Sequence, residues 1–580
     1  MKLLPPVSPP VSIGASRLIP SKWDVVAALL VLGFIVLFAE TSRGLSEPLA
    51  GLAATPLSLD PIHLPGYALR SGLRMLIAMG FSLLFTFSYA TWAAKSPRAG
   101  ALLIAILDIL QSVPILGFLS ITLVFFLSLA PGMELGAELA AVFLIFTSQA
   151  WNMAFSFYQS LRTVPEELGE AGRLFGLNAW ARFWRIEVPF AMPSLIWNMM
   201  MSMSGAWFFV VASEAFSVGP THIALPGIGS YIAEAIAQRD LTAIAWAIGA
   251  MAVVILIYDQ LLFRPLVSWA DRFRVEEEQG ETAPEAWVLT AFRRSRLIDR
   301  ATAPVRALVR WSYYLAPPAL LPRLGARRGA AASRARDLAW YALVATLSAL
   351  ALWRTAAFIG PYVTLADAGH AIALGLLTML RVFVLIALAS LIWTPIGIYV
   401  GLRPRLTRIV QPIAQFLAAF PANLLFPVAV ALIVAFRLDP DLWLSPLMIL
   451  GTQWYILFNV IAGANALPRE LRHVSDNLQI RGLLWWRKVA LPCVFPYYVT
   501  GAITASGGSW NASVVAELVD WGDQSVKAHG LGAYIKQATN DGDFHRVVLG
   551  IVVMSAMVVI INRVLWRPLY RYAERKFRLT

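Results

Sequence analysis

The sequence predicts an all-α polytopic membrane protein made of two fused six-helix halves, about 12 transmembrane helices in all. Three observations predict it. Of the 580 residues, 58% are hydrophobic and only 14% are charged, a composition outside the range of soluble domains. Apolar runs of the roughly 20 residues needed to cross about 30 Å of hydrocarbon recur along the whole chain. The second half repeats the landmarks of the first at a nearly constant offset.

In chain order, the runs fall near residues 23–41, 66–92, 100–130, 136–160, 189–214 and 241–263, then near 338–356, 368–394, 408–437, 441–464, 492–517 and 545–566. The first, Val25 to Ala39, follows Arg17 and Lys22 and is not followed by an A-x-A-like cleavage site. It is expected to be a retained spanning helix. Basic residues gather before the first run, then after the second (Lys95, Arg98), the fourth (Arg162, Arg173, Arg182, Arg185) and the sixth (Arg264, Arg272, Arg274). With alternating spans these lie on one side, the cytoplasm by the positive-inside rule, and both termini lie there too. The expected parts are a cytoplasmic segment 1–22, a first membrane domain 23–265, a cytoplasmic linker 266–337 and a second membrane domain 338–580. The linker is Arg-rich, with an acidic patch from Glu276 to Glu281.

The duplication is specific. Pro165, Pro189, Pro193, Trp207, Glu214, Gly229, Tyr231 and Arg264-Pro265 recur 303 residues later as Pro468, Pro492, Pro496, Trp510, Glu517, Gly532, Tyr534 and Arg567-Pro568. Upstream, Arg74, Pro97-Arg98 and Pro114 recur 307 residues later as Arg381, Pro404-Arg405 and Pro421. The change in offset places four extra residues in an external loop around Pro131-Gly-Met133. An even number of spans per unit gives both halves the same topology and relates them by an axis along the membrane normal.

Other classes are disfavoured. A net charge of +13 could suggest nucleic acid, but the arginines lie between apolar runs, as in membrane-protein loops. The single cysteine, Cys493, excludes an intramolecular disulfide framework, and the six histidines show no metal-ligand spacing. The chain carries no G-x-x-x-x-G-K-[ST] stretch to cradle ATP phosphates and no nucleophile, base or metal constellation of an enzyme. Energy must come from another subunit or from a gradient.

One segment is unexpected in so apolar a chain: EELGEAGRLFGLNAWARFWRIEVPFAMP, residues 166–193, between two spans. Val164-Pro-Glu-Glu opens a helix with proline and acids where a helix start favours them. Ala171, Gly172 and Gly176 offer a small-residue surface onto which a partner can close, and Gly176-Leu-Asn can end the first short helix. Trp180, Phe183, Trp184 and Ile186 supply an apolar face before Val188-Pro189 opens the next span. An ordinary interfacial helix is the alternative, and the recurrence of the segment in the second half favours a docking platform.

Pro165, Glu167-Leu168, Glu170-Ala171-Gly172, Gly176, Phe183, Ile186 and Val188-Pro189 resemble the EAA loop of binding-protein-dependent ABC importer permeases. The second copy departs from that pattern. It runs from Pro468 and Glu470 to Val489-Ala-Leu-Pro492, with His473-Val474-Ser475 in place of EAA and Gln479 in place of the glycine. Gly205-Ala-Trp207, Val211-Ala-Ser-Glu214 and Leu225-Pro-Gly-Ile-Gly229-Ser-Tyr-Ile232 are similar to the nitrate/sulfonate/taurine branch, and the doubling resembles the duplicated anion-transport permeases of bacteria. The resemblance implies two fused type I permease domains in the inner membrane, carrying a small anion. It implies two ATPase subunits that bind ATP, which this chain does not, and a periplasmic or extracellular substrate-binding protein. The coupling residues would be Glu167, Glu170, Ala171, Gly172 and Gly176 in one loop and Glu470, His473, Ser475 and Gln479 in the other.

Arg74 and Glu214, and their repeats Arg381 and Glu517, fall at similar depth near the external ends of their spans. Ionisable groups there are costly unless paired or wet, so structural Arg–Glu pairing is expected, with substrate contact the alternative. Trp207 and Trp510 read as packing or interfacial residues, or as pathway lining. The competing function is a gradient-driven secondary transporter of two parallel six-helix repeats. Its major-facilitator form would carry a G-x-x-x-D-R-like loop after the second span, where Ala93-Ala-Lys-Ser-Pro-Arg98 and Gly401-Leu-Arg-Pro-Arg405 stand instead.

Overall fold

The computed structural model describes residues 57–112, 115–218, 221–273, 287–312, 330–522 and 524–577. The segment 1–22, the run near 23–41, the patch at 276–281 and Pro114 lie outside the described residues.

The first half runs through α1 (Leu64–Phe85), α2 (Pro97–Ser112), α3 (Leu119–Leu129), α4 (Glu134–Arg162), α5 (Glu166–Leu174), α6 (Ala179–Arg182) and α7 (Val188–Glu214). A two-stranded hairpin follows, β1 (Ala215–Val218) and β2 (Thr221–Ala224), then α8 (Ile228–Ala237), α9 (Leu241–Tyr258) and α10 (Arg264–Ala270). Two further helices, α11 (Trp287–Arg294) and α12 (Arg296–Ser312), occupy the stretch between the halves.

The second half repeats the plan: α13 (Ala330–Ile359), α14 (Leu365–Gly401), α15 (Pro404–Ala419), α16 (Phe426–Phe436), α17 (Pro440–Trp443), α18 (Gln453–Asn465), α19 (Arg469–Asn477), α20 (Gly482–Trp485) and α21 (Leu491–Ala516). Its hairpin is β3 (Leu518–Trp521) with β4 (Gln524–Lys527), then α22 (Leu531–Asn540), α23 (Phe544–Ile561) and α24 (Arg567–Phe577). Both hairpins are antiparallel, with Ala215 opposite Ala224 and Leu518 opposite Lys527. The repeat extends to backbone detail, because π-helical turns at Phe183–Glu187 and Asp259–Phe263 recur at Trp486–Ala490 and Asn562–Trp566.

Among the described residues, eight helices are long and apolar enough to cross a membrane, or ten if each of two bent pairs is one span. The run expected as a single span near 408–437 is one of these pairs, bent by 76° between α15 and α16. Proline explains the break. Pro421 disfavours helical geometry at Phe420, which adopts φ −70°, ψ 123° and ends α15. The run near 441–464 is likewise bent, by 44°. The run near 100–130 forms α2 and α3 on either side of residues outside the description.

Two compact units emerge from the contacts. One combines Val164–Pro193 with the described part of Asp259–Gly325; the other gathers the described parts of Arg43–Thr163, Ser194–Tyr258 and Ala326–Thr580. In the larger unit α1 packs along α4, and α14, α18 and α21 pack on one another. Close approach there requires small residues. A Cβ on Gly397 would fall 2.6 Å from Val460 Cγ1, and one on Gly401 would fall 2.6 Å from Ala464 Cβ. This G-x-x-x-G spacing lets α14 and α18 meet through their backbones, as helices do where lipid removes the hydrophobic drive for association. One buried cluster joins Val400, Ala414, Ala418, Leu457, Phe458 and Ile461.

Candidate functional site

The larger unit holds two ion clusters related by the repeat. In the first, Arg74 on α1 donates from Nε to Glu138 Oε2 at 2.6 Å and from Nη2 to Glu138 Oε1 at 2.5 Å. Its Nη1 donates to Glu214 Oε1 at 2.8 Å and to the Pro226 carbonyl at 3.0 Å. The other oxygen of Glu214 accepts the Gly229 N–H at 2.7 Å, in the first turn of α8. A carboxylate there complements the unsatisfied amides and dipole of a helix start. Ser71, one turn before Arg74, accepts the Ile228 N–H at 3.0 Å. All three charged residues are buried.

The second cluster repeats this wiring with looser parts. Arg381 Nη1 donates to Glu517 Oε1 at 3.3 Å and to the His529 carbonyl at 2.7 Å, and Nη2 donates to Asp441 Oδ1 at 2.8 Å. Glu517 Oε2 accepts the Gly532 N–H at 2.8 Å at the start of α22, while Thr378 takes the place of Ser71 and accepts the Leu531 N–H. Asp441 also accepts the His529 N–H at 2.7 Å and lies 2.8 Å from His529 Nδ1.

Thus the structure brings Arg74 to Glu214 and Arg381 to Glu517, and adds an acid to each pair that the sequence reading did not single out. Glu138 and Asp441 are themselves separated by 303 residues. Matching acids as a class at that offset, rather than identical residues only, would have found them.

Between the halves, within the same unit, lies a cavity of about 90 Å³. First-half residues Ser204, Gly205, Phe208 and Phe209 on α7 face second-half residues that include Met448, Thr452, Tyr455 and Asn511. Its polar groups are hydroxyls and an amide, with no charged side chain among the described lining residues. A Cβ on Gly205 would sit 2.9 Å from the Tyr455 hydroxyl, so the glycine leaves room beside the phenol. Trp207 and Trp510 are buried and are not part of the lining. Trp207 packs edge-on to Tyr258 with ring centroids 5.2 Å apart, and the Tyr258 hydroxyl donates to the Gly72 carbonyl.

The two loops between spans share one construction. The end of α5 is a Schellman turn: Gly176 N–H bonds to Arg173 O and Leu177 N–H to Gly172 O, both at 3.0 Å, with Gly176 at φ +68°. The end of α19 repeats both bonds, Gln479 to Asp476 and Ile480 to Ser475, with Gln479 at φ +52°. In the first loop Asn178 then caps α6 by accepting the Ala181 N–H at 2.7 Å. Glu167, Glu170 and Gly176 are exposed and Ala171 is half-buried, as are their second-loop analogues Glu470, His473, Gln479 and Val474 exposed. Gly172 does not belong to an open small-residue surface. Ile186 covers it, with Cδ1 2.7 Å from where a Cβ would stand, and its analogue Ser475 is buried too. What these loops present to solvent is apolar instead: Leu174 is 88% exposed and Phe175 83%, and Leu478 is 66% exposed in the other loop.

A duplicated helical bundle with buried ion clusters, a cavity between its halves and two polar loops of equal design defines a membrane transport subunit. The chain belongs to the family of binding-protein-dependent transport system inner membrane components, which matches residues 66–264 and again 394–579. It carries that family's domain twice, as a fused, duplicated permease. It is similar to the bicarbonate transport system permease protein of Synechococcus elongatus, 28% identical over 177 residues, covering 30% of this chain and 60% of that protein. The nitrate import permease protein of Leptolyngbya laminosa is 29% identical over 182 residues, 31% of this chain and 62% of that protein. The glycine betaine/proline betaine transport system permease protein of Salmonella typhimurium is 27% identical over 233 residues, 39% of this chain and 60% of that protein. Each match spans less than two thirds of the relative's length.

Proposed function

We propose that this one chain forms the complete translocation path of an ATP-driven importer for a small anion of the nitrate, bicarbonate or sulfonate kind. Two ATPase subunits would dock on the loops around α5 and α19, which would face the cytoplasm with both termini, and a substrate-binding protein would deliver the anion from outside. The observation that carries this reading is the loop built twice with the same Schellman turn, each exposing apolar side chains on an otherwise polar helix. Apolar side chains exposed at the same place in both loops suit contact with a partner. Closure of the ATPases would move both loops and rock the halves about the cavity.

The cavity suits passage rather than storage. The Tyr455 hydroxyl and the Asn511 amide can offer hydrogen bonds to an anion, while the lack of a cation among the described lining residues avoids holding it too tightly to leave. The ion clusters would be structural. Each oxygen of Glu214 already accepts a hydrogen bond from the chain itself.

The test is reconstitution in liposomes with and without ATPase subunits and binding protein, measuring uptake of labelled nitrate, bicarbonate and taurine and the mass of the complex. Uptake only with ATP and ATPase, by a complex of one permease and two ATPases, is expected. Uptake by the lone chain under an ion gradient would overturn the proposal.

A further inference from the structure

We propose that α12, between the two halves, is a membrane-surface helix that binds anionic phospholipid headgroups. Residues 265–393, which contain it, fall outside both family matches.

Its register separates two faces. With 3.6 residues per turn, the arginines at positions 296, 300, 306 and 310 fall on one side, together with Asp299. Ile298, Ala301, Val305, Leu308 and Val309 fall on the other, and Trp311 lies at the border. At the C-terminal end of that apolar side, Leu308 is 61% exposed, Val309 43% and Trp311 58%. A helix with one apolar and one strongly basic face either docks on a protein or lies in a membrane interface.

The anchors of α12 favour the interface. The preceding helix α11 packs on α10, the end of an apolar helix that continues unbroken from Leu241 to Phe273. At the other end, the indole N–H of Trp180 donates to Ser312 Oγ at 3.2 Å. Trp180 stands at the start of another membrane-length helix, Ala179–Glu214. Both anchors therefore lie on extensions of spanning helices, just beyond their apolar runs at 189–214 and 241–263, and the exposed Trp287 and Trp311 are residues that favour a membrane–water interface. Four arginines against one aspartate select a negatively charged surface. Assignment to the inner leaflet rests on the orientation proposed above; the lipid contact does not.

The test uses the full chain with Cys493→Ser and one new cysteine, Leu308→Cys on the apolar side or Ala303→Cys on the basic side, each labelled with an environment-sensitive fluorophore. The chain is reconstituted in vesicles of phosphatidylglycerol or of phosphatidylcholine, with and without brominated acyl chains. In phosphatidylglycerol the label at 308 should shift to the blue and be quenched by bromine, while the label at 303 stays water-exposed. In phosphatidylcholine, or after Arg300→Gln with Arg306→Gln and Arg310→Gln, the quenching at 308 should fall several-fold. Water-like emission at 308 in phosphatidylglycerol, equal quenching in both lipids, or burial only after ATPase subunits are added would overturn the proposal. The readout does not require import, so it fails or succeeds apart from the transport assay.

Discussion

Arg74 holds Glu138 through a two-bond fork, Nε to Oε2 at 2.6 Å and Nη2 to Oε1 at 2.5 Å, whereas Arg381 reaches the corresponding Asp441 through one bond at 2.8 Å. The difference is one methylene and a change of partner, because Asp441 turns its other oxygen to His529. The first cluster is buried; in the second, the Asp441 side chain is 41% exposed. Their energetic weights must differ, since ion pairs left in water contribute little and a buried charge stripped of its partner is costly.

Arg74→Gln should therefore be the most damaging single change among these charges. It strands two buried carboxylates and should cost about 3–5 kcal/mol, read as a lowered unfolding temperature of the detergent-purified chain. Arg381→Gln should cost less. Equal losses would contradict the difference in burial.

The third charge also changes what a double substitution does. If Arg74 paired with Glu214 alone, removing both would relieve the damage. With Glu138 still buried and without its cation, Arg74→Gln with Glu214→Gln should recover little stability, and adding Glu138→Gln should recover more. Full recovery by the double variant would show that Glu138 does not share Arg74.

In the loops, Gly176→Ala should destabilise the Schellman turn by about 1–2 kcal/mol through its left-handed backbone, not through a clash; a Cβ there meets nothing within 4 Å. Gln479 already carries this strain at φ +52°, so Gln479→Gly should stabilise. Thermal unfolding in the absence of ATPase separates this from a docking effect. A neutral result for Gly176→Ala would remove the conformational argument.

A Cβ on Gly229 would strike the Val211 carbonyl, and one on Gly532 the Ser513 carbonyl. Overpacking of this kind costs about 1–3 kcal/mol. Gly229→Ala and Gly532→Ala should lower folded yield to a similar degree, measured by size-exclusion profile. Loss at one position alone would mean that the two halves do not share this packing.

Gly205→Leu should fill the cavity beside Tyr455 and lower ATP-dependent uptake by an order of magnitude or more while leaving ATPase copurification intact. Normal uptake would place the path elsewhere.

Some of this was legible in residue order. The even spacing of apolar runs predicts the helices, because a spanning segment must satisfy its own backbone hydrogen bonds and no other local solution exists in lipid. The recurring offset of prolines, glycines and acids predicts the duplication, and similar depth near the external ends of their spans predicts the pairing of Arg74 with Glu214 and of Arg381 with Glu517. Gly176 is legible as the end of α5, since a left-handed residue at that point favours glycine.

The rest depended on contacts between segments far apart in the chain. Composition cannot tell a straight span from one bent by 76°, because both are apolar; the angle between α15 and α16 follows from how Pro421 redirects the backbone and what the two helices then pack against. Gly172 reads as open surface until Ile186, fourteen residues later, is seen to lie over it. Glu138 joins Arg74 only because α1 and α4 lie side by side. By itself the sequence determined which segments are apolar enough to cross a membrane, that the plan repeats, and that Arg74, Glu214, Arg381 and Glu517 need partners, since these follow from local hydropathy and the cost of burying ions. The tertiary structure alone decided which acid each arginine grips, how wet each cluster is and where a cavity remains, because those depend on how helices distant in sequence close against one another.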